Sequence, residues 1–164
     1  IIKNNNMKID ENSYMGEDYC FNIDYINLCN SVYISDKFLY RYTLSQNCLT
    51  TKFRKNEFEV RRPNLIKLEN FYEENKLNKN RLYFEYIKMS YSCFTHLFSK
   101  ENKNSHKENI RYISTIINSE SINNALKEFK ASTLVETISY KVLKSKRKYL
   151  IYFVSYILYN FTKR

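Results

Sequence analysis

A single glycine, Gly16, and a single proline, Pro63, serve a chain of 164 residues. Glycine is the default residue where a backbone needs φ > 0 or where another group approaches the backbone closely. The place of the one glycine therefore constrains the fold strongly. Gly16 stands in SYMGEDYCFNIDYINLCN, directly before Glu17 and Asp18. Two readings stand. In one, Gly16 ends a loop and the two acids favour the N-terminus of the helix that follows. In the other, a tight turn delivers two carboxylates to the first turn of a helix and leaves backbone space for a ligand.

The length fits one domain, or a large piece of one, with a real core. Hydrophobic and charged contents of 43% and 27% are those of a globular chain. The net charge of +10 comes mostly from lysine, in a sequence rich in Tyr, Phe, Ile and Asn. That composition points to A/T-rich codons, so part of the charge is codon drift. The charge is also uneven. Residues 1–36 hold Asp10, Glu11, Glu17, Asp18, Asp24 and Asp36 against Lys3 and Lys8. Beyond Glu136 there is no acid, but Lys141, Lys144, Lys146, Arg147, Lys148, Lys163 and Arg164 follow. An acidic working end and a basic surface facing an anionic partner are expected.

Cys20, Cys29, Cys48 and Cys93 form no C-x-x-C pair, which argues against a zinc knuckle. His96 and His106 read as surface or helix-flank residues, and no metal site is expected in this chain. Free thiols without a signal peptide point to a reducing cytoplasm. The opening IIKNNNMKIDENS, without an initiator Met, reads as that of a fragment.

The expected fold class is α+β: a small mixed α/β part over residues 1–60 and a helical region over 61–164. Phe21, Tyr25 and Leu28 follow the acids at helical spacing. SVYIS and KFLYRYTL, β-branched and aromatic, read as two short strands. SQNCLTTKFRKNEFEVRRP reads as polar and irregular, with Pro63 as a boundary. Thereafter the spacing predicts helices. Their stripes are Leu65, Leu68 and Tyr72, then Leu82, Tyr86, Met89, Cys93 and Leu97. Ile110, Ile113 and Ile117 make the next, and Ile122, Leu126 and Phe129 the last. Such stripes are core-facing before they are anything chemical. Thr133 and Glu136 have the spacing of a capping box, and SKENKNSHKEN is the most solvated connection.

The order of blocks is more specific than any one of them. Gly16-Glu17-Asp18 with Phe21-Asn22, then Leu39-Tyr40-Arg41-Tyr42, then Cys48-Leu49-Thr50 resembles the second half of the catalytic domain of family 2 glycosyltransferases. These have the GT-A fold and are common among bacterial capsule and surface-polysaccharide enzymes. The resemblance covers roughly residues 1–55. It implies inverting transfer of a sugar from a nucleotide-sugar, a UDP-sugar, to a glycan or polyprenyl-linked acceptor. Asp18 would take the proton of the acceptor hydroxyl, as an ionised base within reach of that oxygen. Gly16, Glu17 and Asn22 would bind the acceptor. Asn22 lies one turn on from Asp18 and on its face, whereas Glu17 points elsewhere.

Departures from the family pattern matter too. Thr43 stands where the family carries a basic residue, which leaves Arg41 or Lys52 for a phosphate contact. Cys48 replaces the usual Ser. The processive Q-x-x-R-W motif is absent, which favours transfer of single sugars. The resemblance places the nucleotide-binding half, with the D-x-D acids that hold Mg²⁺ or Mn²⁺, upstream of Ile1.

A reading from another class is a non-catalytic basic helical module on a membrane surface or nucleic acid. Scarce Arg and the lack of any nucleic-acid motif argue against nucleic acid. The membrane version rests on residues 141–164. Tyr149 to Phe161 is a nearly unbroken apolar run, too short for the ~20 residues of a spanning helix. Either this helix closes the core, or it lies on a membrane with Lys144, Lys146, Arg147 and Lys148 on anionic lipid, each contributing about 1 kcal/mol. The latter would make the protein peripheral at the inner face of the membrane.

Overall fold

The computed structural model describes residues 1–10, 16–41 and 53–162. Seven helices follow in order: α1 (Glu17–Asn27), α2 (Glu57–Glu74), α3 (Asn80–His96), α4 (His106–Ile117), α5 (Glu120–Glu128), α6 (Leu134–Lys144) and α7 (Lys148–Thr162). No strand occurs among the described residues. The expected α+β class is therefore wrong, and the described chain is all-α.

The error lies in residues 31–41. They carry the β-branched and aromatic pattern of strands but have no regular secondary structure. Val32, Tyr33, Ile34, Phe38, Leu39 and Tyr40 are all exposed, Phe38 fully. Strand propensity describes a fit to a pleated, half-buried surface, and these residues have no such surface to join. The end of the second expected strand, 42–44, lies outside the described residues. Pro63 marks no helix boundary either. It is the seventh residue of α2, on its exposed side. The carbonyl of Glu59, which loses its helical donor there, belongs to an exposed residue open to water.

From Leu65 onward the periodicity holds. Leu82, Tyr86, Met89, Cys93 and Leu97 are all buried, as are Ile110, Ile113 and Ile117 and then Ile122, Leu126 and Phe129. Leu65 and Leu68 are buried and Tyr72 is half-buried. α3 adds Ile87, Ser90, Tyr91 and Phe94, so apolar burial extends well round it. It packs against α2, α4, α5, α6 and α7. Buried polar groups along it are matched. Ser90 Oγ donates to the Tyr86 carbonyl at 3.0 Å, and Tyr91 Oη to the Ser139 carbonyl at 3.0 Å. Asn80 exchanges two hydrogen bonds with the backbone of Lys130, at 2.9 and 2.8 Å.

The helix ends show how a chain so poor in glycine turns corners. The Thr133–Glu136 capping box is present, and a second one, Ser105–Glu108, starts α4. The latter cuts the expected SKENKNSHKEN connection short, and Asn109 within that stretch is buried. α2 ends with Lys76 at φ +52, its N–H on the Glu73 carbonyl and that of Leu77 on the Tyr72 carbonyl, which is a Schellman turn. Lys146 plays the same left-handed part after α6, at φ +54.

α3 is the element on which the others rest, and Phe94 in its last turn has no exposed surface. Phe94→Ala is expected to cost about 3–5 kcal/mol, as large-to-small changes at closed sites do. Urea denaturation followed by far-UV circular dichroism measures it.

Candidate functional site

α1 is held on α2 by polar contacts along its length. Asp24 pairs with Lys67 at 2.5 Å, and Asn75 Nδ2 donates to Asn27 Oδ1 at 3.2 Å. Cys20 Sγ donates to Asn64 Oδ1 at 3.3 Å, and Ile23 is the buried apolar residue of the helix. The packed stripe is thus Cys20, Ile23 and Asn27. The expected stripe of Phe21, Tyr25 and Leu28 is displaced: Phe21 and Tyr25 are half-buried, and Leu28 is exposed.

Gly16 caps this helix in the left-handed region, at φ +83 and ψ +21, with its carbonyl accepting from Cys20 N–H at 2.9 Å. A Cβ there would be driven into the carboxamide of Asn64. This separates Gly16 from Asn6, Lys76 and Lys146, which also have positive φ but carry side chains. Left-handed backbone alone does not require glycine in this chain. Left-handed backbone pressed against Asn64 does.

Beside that turn lies an open cleft of about 590 Å³ between α1, α2 and α3. Gly16 and Tyr19 form one wall, Arg61 and Asn64 another, and Lys88 and Ser92 of α3 the third. Burial, with the charge of Glu85 adding to it, pushes the Tyr19 phenol up to about 12, so it presents a neutral hydroxyl. The walls therefore offer mainly hydrogen-bond donors, with Glu85 as an acceptor already shared with Arg81 and Lys88.

Beneath the cleft is a buried charge network. Glu57, the first residue of α2, is 1% exposed. One carboxylate oxygen accepts from Arg61 Nη1 at 2.9 Å, and the other meets His96 Nδ1 at 2.6 Å. Arg61 Nη1 also donates to Ser92 Oγ at 2.9 Å. Burial raises the Glu57 carboxyl, but the hydrogen bond and charge of His96, together with those of Arg61, outweigh it and hold the group below its ordinary value. The helix N-terminus suits the same negative charge. Next door, burial pushes the Cys93 thiol well up, so it stays protonated.

The sequence-predicted residues divide. Gly16 lines the cleft. Glu17 is half-buried in the first turn of α1, while Asp18 and Asn22 are exposed on the side away from α2. The Tyr19 N–H donates to Asp18 Oδ1 at 2.7 Å. Asp18 and Asn22 do share a face, as their spacing predicts, but that face looks outward. Arg41 is exposed in irregular chain, and Lys52 and Cys48 lie outside the described residues. No group of three or more His, Cys, Asp or Glu that could hold a metal occurs among the described residues. They do not fit the Mg²⁺ or Mn²⁺ that the family resemblance implies, and no residue here is assigned to it.

Glu57, Arg61 and His96 were missed. Glu57 and Arg61 sit in a stretch whose charge density reads as loop, and His96 is 39 residues from Glu57. The one available signal was the i, i+4 pairing of Glu57 with Arg61. His96 ends α3, so its helix-flank position is as expected, though it is turned inward.

In comparisons with known proteins, the chain matches no family model, no curated protein and no solved structure.

Two outcomes test this geometry. Glu57→Gln leaves buried partners unmatched and is expected to cost roughly 1–3 kcal/mol at neutral pH. A depressed folded pKa means that the stabilisation is complete above the ordinary value of 4.5 and is lost as pH falls through the folded value. The variant should therefore lose less stability than the native protein below that pH, in urea titrations carried from neutral to acid. Gly16→Ala is expected to cost about 1–2 kcal/mol from the left-handed backbone alone, with displacement of Asn64 adding to it. A double-mutant cycle of Gly16→Ala with Asn64→Ala, read by urea denaturation, separates the two costs: the steric part appears as the coupling between the sites, because Asn64→Ala alone carries the loss of the Cys20 contact.

Proposed function

We propose that this chain is the acceptor-side part of an inverting family 2 glycosyltransferase that builds surface polysaccharide. The observation that carries the reading is the turn at Gly16. It sets two carboxylates in the first turn of α1, one of them, Asp18, exposed with Asn22 a turn further on. An acceptor hydroxyl approaching that outer face meets Asp18 as base and Asn22 as a hydrogen-bonding partner for the sugar. Removal of the proton by Asp18 makes the acceptor oxygen nucleophilic as it attacks the anomeric carbon of the nucleotide-sugar. Glu17, half-buried beside them, contributes to holding the acceptor.

The order of the sequence blocks supports this reading. So does the run of exposed apolar side chains from Val32 to Tyr40, which follows the acid-bearing helix. That run supplies a surface against which the donor-binding half of the enzyme packs. The enzyme works in the cytoplasm, where Cys20, Cys29 and Cys93 remain free thiols.

The test is made in the polypeptide that joins this segment to a donor-binding half. Asp18→Asn should lower transfer of labelled sugar from a UDP-sugar by ~10²–10⁴, as loss of a positioned base does. Glu17→Gln should act less, through acceptor KM. Circular dichroism should be unchanged in both, since Asp18 is exposed and Glu17→Gln keeps the shape of the side chain. A kcat for Asp18→Asn within threefold of native (an effect far below the ~10² floor of base removal) would return these acids to the role of helix N-terminal charges.

A further inference from the structure

The outer face of α7 departs from that of α4, and it is longer than the exposed apolar stretch Leu134, Val135 and Ile138 on α6. On α4 the exposed positions carry Lys107, Arg111, Thr115 and Asn118, as a solvated helix does. α7 has one charged residue, Lys148, at its start. Its inner side is packed: Ile151 and Ser155 are fully buried, and Tyr152 sits against Phe98 at 4.6 Å and His106 at 4.7 Å. Its outer side presents Tyr149, Leu150, Phe153, Tyr156, Ile157 and Phe161, with Phe153 59% and Phe161 70% exposed. The core requirement is met by one side of this helix, yet the opposite side is apolar as well.

A basic cluster adjoins this face. Lys141, Lys144, Lys146, Arg147 and Lys148 run from the last turn of α6 into the first of α7. Among the described residues none of the five has a carboxylate partner. Lys144 donates to Tyr140 Oη and Lys146 to Asn123 Oδ1, while Lys148 lies over the Tyr149 ring at 5.5 Å. No acid occurs in the chain beyond Glu136 to offset them. The first turn of α7 contains no acid either, so the positive end of the helix dipole adds to the same field.

No helix among the described residues is long and apolar enough to cross a membrane. An apolar, aromatic face on a helix of 15 residues, beside bases without a carboxylate partner among the described residues, has the make-up of a helix lying in the plane of an anionic lipid surface. We infer that α7 docks the protein on an anionic bilayer, with Leu150, Phe153, Ile157 and Phe161 entering the headgroup boundary and the 141–148 bases meeting lipid phosphates. The charge complementarity selects the occupant: an anionic surface can meet all five cations at once, whereas a second copy of this chain carries the same net positive charge and no acid beyond Glu136 to set against them. The inference is independent of the glycosyl-transfer reading and would stand if that reading fell.

Co-sedimentation of the 164-residue chain with phosphatidylcholine vesicles, with and without phosphatidylglycerol, tests it. Binding is expected to the anionic vesicles alone and to be released by high salt, which screens the contacts. Arg147→Gln and Lys148→Gln should each weaken binding roughly fivefold. Phe153→Ser with Phe161→Ser should abolish it at low salt while leaving the circular dichroism unchanged, because both rings are exposed. Full recovery in the supernatant with both lipids would overturn the inference, and so would equal binding to neutral vesicles. Native-level binding by the double Phe variant would also overturn it. A dimer in sedimentation velocity that the Phe substitutions dissociate would reassign the face to contact between copies.

Discussion

The arrangement of the molecule depends on α3 being buried over most of its circumference. A helix that is apolar nearly all round can be accommodated only at the centre of other helices. Leu82, Ile87 and Phe94, all without exposed surface, set the distances at which α2, α4, α5, α6 and α7 pack round it. The polar atoms that α3 takes inside are matched to carbonyls, as with Ser90 and Tyr91, so the core carries little unmet hydrogen bonding. α1 packs on α2 and joins this core through Ile23. The Gly16 turn is thus an attachment to the bundle, with Asp18 and Asn22 on the exposed face.

Two charged features stand in contrast. Glu57 is fully buried, and its charge is retained only because Arg61 and His96 hold both oxygens from two different helices. Asp18, only 39 positions earlier, is exposed, and among the described residues it accepts from the adjacent backbone N–H of Tyr19. The first ties α2 to the end of α3 and is structural. The second is available to whatever approaches α1, and this difference in surroundings separates a candidate for chemistry from a carboxylate of the scaffold.

Among the described residues apolar surface is left uncovered on the 32–40 run, on α6 at Leu134, Val135 and Ile138, and on the outer side of α7. Contiguous exposed apolar surface on a folded chain marks a place of contact. The surroundings differ. The 32–40 run follows the acid-bearing helix, and the outer side of α7 adjoins five bases that have no carboxylate partner among the described residues.

By itself the sequence determined the helices from Leu65 onward, because each has a stripe at helical spacing and the neighbouring stripes meet in one core. It also determined the Thr133 cap, a local matter of hydrogen bonding. It did not determine residues 31–41. Their strand-like pattern has meaning only where a neighbouring strand accepts it, and β propensity reports that neighbour more than the backbone. Nor did it show why glycine is required at position 16 when Lys76 and Lys146 manage positive φ without it. The reason is Asn64, 48 positions away, whose carboxamide occupies the space of a Cβ. Tertiary structure alone decided the Glu57–His96 contact and which face of α1 is packed. Each depends on residues brought together from distant parts of the chain by burial round α3, and no local pattern records such a meeting.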